Sequence, residues 1–181
     1  MNITVYLGSF NGKFKVYKDA VRKLGYFIGE NNHTLIYGGS TVGLMGTLAD
    51  SALEKGGKVI GVEPRFFVEA EVQHEGITEL IVTETMAERK GILIEMGDVF
   101  VAFPGGLGTL EEITELMTLN KVGVIKKPFY FLNINDYYEP LKKFFKQMVD
   151  EGFLEREFYD SIKFLPSVEE LEKQIRKIHN K

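Results

Sequence analysis

The sequence predicts an α/β protein built on a doubly wound, mostly parallel sheet of about seven strands with helices on both faces. Short apolar runs rich in Val, Ile and Phe alternate with longer stretches of helical period, which is the mark of βαβ units. Several of those runs, such as VFVAF at 99–103, are apolar at consecutive positions, as strands covered on both sides require. Glycine clusters directly follow the first, second and fifth runs, where a strand turns into a helix.

The strands are expected at Ile3–Leu7, Thr34–Tyr37, Lys58–Val62, Leu80–Thr83, Asp98–Phe103, Pro128–Leu132 and Ser161–Leu165. Helices are expected between and after them at Tyr17–Glu30, Leu44–Lys55, Met86–Met96, Leu110–Leu119, Tyr137–Glu151 and Val168–Ile178, where the apolar period is close to 3.6. No repeat, low-complexity tract or Pro/Ser-rich linker interrupts the pattern, so residues 1–181 read as a single Rossmann-like domain. Ligands of such folds bind beyond the carboxyl ends of the strands, so functional residues are expected just after strands.

Charge and composition exclude several classes. Lys and Arg number 22 against 26 Asp and Glu, a formal net charge of -4 with no long block of either sign. That gives no electrostatic footprint for nucleic acid or an anionic membrane. The absence of cysteine removes disulfides, thiolate metal sites and Cys nucleophiles. His33, His74 and His179 lack the spacing of a helical metal pair. A reaction without metal or cofactor is therefore expected. The start, MNITVYLGSF, shows no basic region followed by an apolar run, and no segment has the length of a membrane span. A soluble, cytoplasmic protein is expected.

The glycine junctions are Gly8-Ser9-Phe10-Asn11-Gly12, Gly38-Gly39-Ser40-Thr41-Val42-Gly43 and Pro104-Gly105-Gly106-Leu107-Gly108-Thr109. Glycine lets a backbone approach a ligand and point N–H groups at it, and the following helix directs its positive dipole end to the same place. Each loop alone is an ordinary structural turn about as often as a site. Three at one sheet edge point to an anion site, most simply for phosphate. None ends in Gly-Lys-Ser/Thr, which disfavours a triphosphate hydrolase, and the first junction is not GxGxxG, which disfavours a conventional NAD enzyme.

Two charged groups stand beside these loops. Thr109 to Glu112 has the spacing of a capping box, a structural role for Glu112. Alternatively the helix start places Glu111 or Glu112 by the anion, where burial or a nearby phosphate raises a carboxyl pKa into a range useful for acid–base chemistry. Arg89 and Lys90, after the fourth strand, sit near a helix N-terminus that is already positive. A shared anion resolves that conflict. The ordinary alternative is a solvated pair, or a bridge to Glu84 or Glu88.

Taken together, these motifs resemble the LOG (LONELY GUY) family of cytokinin riboside 5′-monophosphate phosphoribohydrolases, long labelled lysine decarboxylase-like. The family's PGGxGTxxE is matched by Pro104 through Glu112, and its Met-associated Arg-Lys pair by Met86, Arg89 and Lys90. YGGSTVGLMG at 37–46 looks like YGGGxxGLMG, VYLGS at 5–9 is similar to the first-strand motif, and the likeness extends through Asp150-Glu-Gly-Phe153 to about Leu165. The resemblance implies a homodimer that cleaves a nucleoside monophosphate, of the AMP or cytokinin riboside type, to free base and ribose 5-phosphate. It implies Arg89 and Glu112 as the catalytic pair and Gly105, Gly106, Leu107, Gly108 and Thr109 as the phosphate loop. Ser9, Gly38, Gly39, Glu71, Met86, Lys90, Leu110, Glu111 and Thr118 would complete the nucleotide site. Ser40, Ala87 and Leu107 depart from the common Gly, His and Tyr of the family, which bears on base specificity. Ile113, Leu116 and Met117 form an apolar helix face suited either to a dimer contact or to core. A nucleotide-binding or sensing module without turnover is the competing class. A decarboxylase is disfavoured, because no lysine has a cofactor-anchoring context.

Overall fold

The computed structural model describes residues 1–70 and 73–179. Seven strands form one sheet: β1 (Asn2–Tyr6), β2 (Thr34–Tyr37), β3 (Lys58–Pro64), β4 (Glu79–Thr83), β5 (Val99–Ala102), β6 (Phe129–Leu132) and β7 (Lys163–Leu165). Their order is β4-β3-β2-β1-β5-β6-β7, and every pairing is parallel. The strand order reverses between β1 and β5, whose register pairs Tyr6 with Ala102. The helices after those two strands therefore pack on opposite faces, and a ligand crevice is expected above the point where the chain parts.

The helices are α1 (Lys15–Glu30), α2 (Gly43–Glu54), α3 (Arg65–Glu69), α4 (Met86–Met96), α5 (Leu107–Lys121), α6 (Glu139–Asp150), α7 (Arg156–Ser161) and α8 (Val168–His179), with a 3-10 turn at Ile134–Asp136. β5 shows why the sheet is covered twice. Val99, Val101 and Phe103 enter the core shared with α1, α2 and α8, whereas Phe100 and Ala102 enter the core shared with α4, α5 and α6. Ile113, Leu116 and Met117 lie inside that second core, which removes them from any dimer contact.

Some expected boundaries move. The last strand was expected from Ser161, but Ser161 closes α7 and pairing begins at Lys163. The short helices α3 and α7 were not expected, because five or six residues are too few to show a helical period. The expected helix at 137–151 is preceded by the 3-10 turn, where Asn135 and Asp136 adopt positive φ, and begins only at Glu139. The expected helix at 110–119 instead starts at Leu107, Gly108 being taken into its first turn. Among the described residues no helix is long and apolar enough to cross a membrane.

Candidate active site

The earlier start of α5 changes the reading of its first turn. Gly106 is the N-cap, with no side chain capping it. Thr109 is therefore the third residue of the helix and cannot cap it, so the expected Thr109–Glu112 capping box does not form. The two-way capping box is at Thr85 and Glu88, at the head of α4. That placement also corrects the bridge considered for Arg89 and Lys90. Glu88 is used as a cap and Glu84 pairs with Arg65, so neither serves them.

Arg89 instead crosses from α4 to α5. Its Nη1 donates to Glu112 Oε1 at 2.5 Å and its Nε donates to the Val62 carbonyl at 3.0 Å. Both partners are almost enclosed, their side chains 11% and 8% exposed. Gly38 makes room for the guanidinium: a Cβ there would lie 2.7 Å from Nη2. Burial raises the Glu112 carboxyl pKa, and the Arg89 charge and hydrogen bond act in the opposite direction. Lys90 bridges Glu111 at 2.8 Å and Glu115 at 2.9 Å, and these partners raise its pKa.

The glycine loops after β1 and β5 touch, with the Gly8 amide bonded to the Pro104 carbonyl at 3.4 Å. Gly105 is confined by that contact, since a Cβ would meet Thr109 Oγ1 at 2.1 Å and the Gly8 amide nitrogen at 2.8 Å. Above the junction opens a cleft of about 550 Å³. Of the expected site residues, Ser9, Met86, Arg89, Gly105, Gly106, Leu107, Gly108, Thr109, Glu111 and Glu112 line it. The first-turn amides of α5, which no N-cap side chain covers, belong to the same wall, beside the carboxyls of Glu111 and Glu112.

The remaining expected residues lie elsewhere. Gly38 backs Arg89, and Gly39 packs against Glu63. Lys90 stands behind Glu111. Leu110 packs on the second core. Thr118 is exposed, about three turns along α5, with its hydroxyl bonded to the Thr114 carbonyl. Glu71 lies outside the described residues.

Sequence reasoning missed Tyr17, Met45, Phe67 and Tyr137, which line the cleft from four separate segments. It also missed Glu63, only 1% exposed, whose Oε2 has no hydrogen-bond partner among the described residues. Burial pushes its carboxyl up to about 7 against the pull of the Arg89 charge. An acidic residue ending the apolar run VIGV was the available signal for it.

The comparisons with known proteins agree with this architecture. Residues 45–175 match the family model described as "Possible lysine decarboxylase". A cytokinin riboside 5′-monophosphate phosphoribohydrolase of Rhodococcoides fascians is 42% identical over 154 residues, covering 84% of this chain and 78% of the relative. The chain belongs to the LOG family. Plant LOG proteins share the likeness: one of Oryza sativa subsp. japonica is 38% identical over 169 residues, covering 93% of this chain and 70% of the relative. Among solved structures, a molybdenum cofactor binding protein from Rippkaea orientalis superposes with a TM-score of 0.75 at 22% identity, covering 98% of this chain and 96% of that one. At that identity the match to a LOG-family chain speaks for the fold alone.

Proposed function

We propose that the chain hydrolyses the N-glycosidic bond of a nucleoside 5′-monophosphate, giving the free base and ribose 5-phosphate. The observation that carries the reading is the nearly buried Arg89–Glu112 pair, 2.5 Å apart, in the wall of a cleft that also holds an uncapped helix start. The relatives' names specify this reaction on cytokinin riboside monophosphates.

In this reading the amides of Gly105 through Thr109 hold the 5′-phosphate, with the α5 dipole favouring its charge. Ser9, Met86, Glu111 and the rim residue Leu107 contact the rest of the nucleotide, and the base lies against the apolar wall of Tyr17, Met45 and Phe67. Gly38, Gly39, Lys90 and Leu110 support that lining from behind. Water adds across the C1′–N bond: the bond to the base nitrogen breaks, a C1′–O bond forms, and the water proton ends on the base. The Glu112 carboxylate stabilises the positive charge that develops on the ribose and accepts the proton from water. Arg89 holds Glu112 in place and offers its guanidinium charge to the ribose hydroxyls or phosphate, so that binding away from the scissile bond orients it. No step requires a metal or cofactor. One domain spanning 1–181, acting as a homodimer in the cytoplasm, completes the proposal. In such a dimer the exposed Thr118 would approach a site only through subunit contact.

Incubation with AMP and with isopentenyladenosine monophosphate, followed by chromatography of the free base, tests the reading. Release of base together with ribose 5-phosphate is expected. Tight nucleotide binding with no base released across a panel would identify a binding module instead. Sedimentation of the purified chain tests the dimer.

A further inference from the structure

Tyr137 lies outside the Arg89–Glu112 chemistry yet reaches the phosphate loop. Its hydroxyl donates to the Gly105 carbonyl at 2.5 Å, while its ring lines the cleft. The ring is set edge-on against Tyr17, centroids 6.1 Å apart at 81°, and against Tyr138, 5.0 Å apart at 83°. Tyr138 is the anchor of the segment: its hydroxyl donates to the Phe103 carbonyl at 2.7 Å and its amide to Asn133 Oδ1 at 2.6 Å. Just before Tyr137, Asn135 and Asp136 both adopt left-handed backbone, with φ of 54° and 53°. Two consecutive non-glycine residues in that region are costly, and such strain persists where surrounding structure enforces it. Here the strained turn delivers a tyrosine hydroxyl to one carbonyl.

The consequence follows from peptide geometry. The Gly105–Gly106 bond is trans, as all described peptide bonds are, so the Gly105 C=O and the Gly106 N–H point in opposite directions within the peptide plane. A Gly-Gly peptide is easily flipped, because neither residue has a Cβ to oppose rotation. A flip would replace the Gly106 donor with the Gly105 oxygen and turn an anion-binding wall into a repelling one. We propose that Tyr137 is a positioning residue that locks the Gly105–Gly106 peptide with its N–H toward the phosphate of a phosphoribosyl ligand. The inference rests on the hydrolase reading above and names a determinant of substrate binding within the same site.

The test compares wild type, Tyr137→Phe and Tyr138→Phe. Calorimetry measures binding of ribose 5-phosphate and of ribose, and steady-state kinetics follows AMP. Tyr137→Phe keeps the half-exposed ring, and circular dichroism checks that the fold is retained. The amide signal of Gly106 in a ¹H–¹⁵N spectrum gives a second readout, expected to broaden or double in this variant. Its dissociation constant for ribose 5-phosphate and its KM for AMP should each rise about tenfold, with kcat within about twofold, as loss of one preorganised interaction common to ground and transition states predicts. Ribose binding should be unchanged. Tyr138→Phe should lower the melting temperature without that split. Wild-type binding and turnover with an unaltered Tyr137→Phe would overturn the lock alone, as would an equal rise in KM in both variants. No base release from AMP by wild type would overturn the hydrolase reading, whereas AMP turnover by a wild type that binds no ribose 5-phosphate would overturn the lock alone.

Discussion

Arg89 and Glu112 meet at 2.5 Å although they belong to different helices and are separated by β5 and its loop. The arginine is also bound to the Val62 carbonyl, so the pair is fixed to the end of the sheet rather than swinging between two helices. A charge pair this enclosed gives little net stability, because desolvation offsets the attraction. Its worth is in holding a carboxylate in one place at the cleft wall.

Glu112→Gln should keep the fold and lose turnover. The amide can still accept from Arg89 but cannot take a proton from water. A fall in kcat of at least about 100-fold is expected, read as base release from AMP, with circular dichroism unchanged. Activity near wild type would remove Glu112 from the chemistry.

Glu63 gives the protein a pH-dependent stability. Its carboxyl lies at about 7 against an ordinary 4.5, raised by burial and opposed by Arg89. A group whose folded pKa is raised contributes stability that is fully present below about 4.5 and lost as pH rises through about 7. Glu63→Gln keeps the shape without the charge. It should stabilise the protein at pH 8 by roughly 3 to 3.5 kcal/mol, taking each pKa unit as about 1.4 kcal/mol, with little gain at pH 4.5. Denaturant melts at the two pH values check the sign.

The glycines of the loop after β5 should separate by position. Gly105→Ala places a methyl 2.1 Å from Thr109 Oγ1 and 2.8 Å from the Gly8 amide, so the β1 and β5 loops must part and both stability and nucleotide binding should fall. A Cβ at Gly108 meets nothing within 4 Å. Gly108→Ala should therefore raise stability by about 0.5–1 kcal/mol through helix propensity. Thermal melts of the two variants should move in opposite directions.

Lys127 closes the other end of α4. Its ammonium donates to the carbonyls of Ile94, Glu95 and Gly97 at 2.7, 2.9 and 2.7 Å, where the helix end is negative. Lys127→Met should cost about 2 kcal/mol, since hydrogen bonds to a charged group are each stronger than neutral ones. Because α4 carries Arg89, base release should also slow. An unchanged unfolding midpoint would show that water replaces the ammonium without loss.

All seven strands were legible in the sequence, because runs such as VFVAF are apolar on both faces and only a doubly covered sheet buries them. The pair Arg89 and Glu112 was legible through its motifs. Tyr137 was not, since its signal is an ordinary Asn-Asp-Tyr turn whose meaning depends on the Gly105 carbonyl, 32 residues away in sequence. Glu63 was partly legible as a lone acid ending an apolar strand, but its elevated pKa arises from burial, beside Gly39, that outweighs the opposing field of Arg89.

Local pattern thus determined the fold class, the glycine junctions and the identity of the charged residues, because periodicity and turn chemistry act over a few neighbouring positions. The tertiary structure alone decided where α5 begins, and so that Glu112 meets Arg89 while Thr109 packs on Gly105. It also decided that Glu88, rather than Glu112, serves as a helix cap. Those outcomes depend on which distant groups compete for the same hydrogen bonds once the sheet brings them together, and that competition has no local trace in the chain.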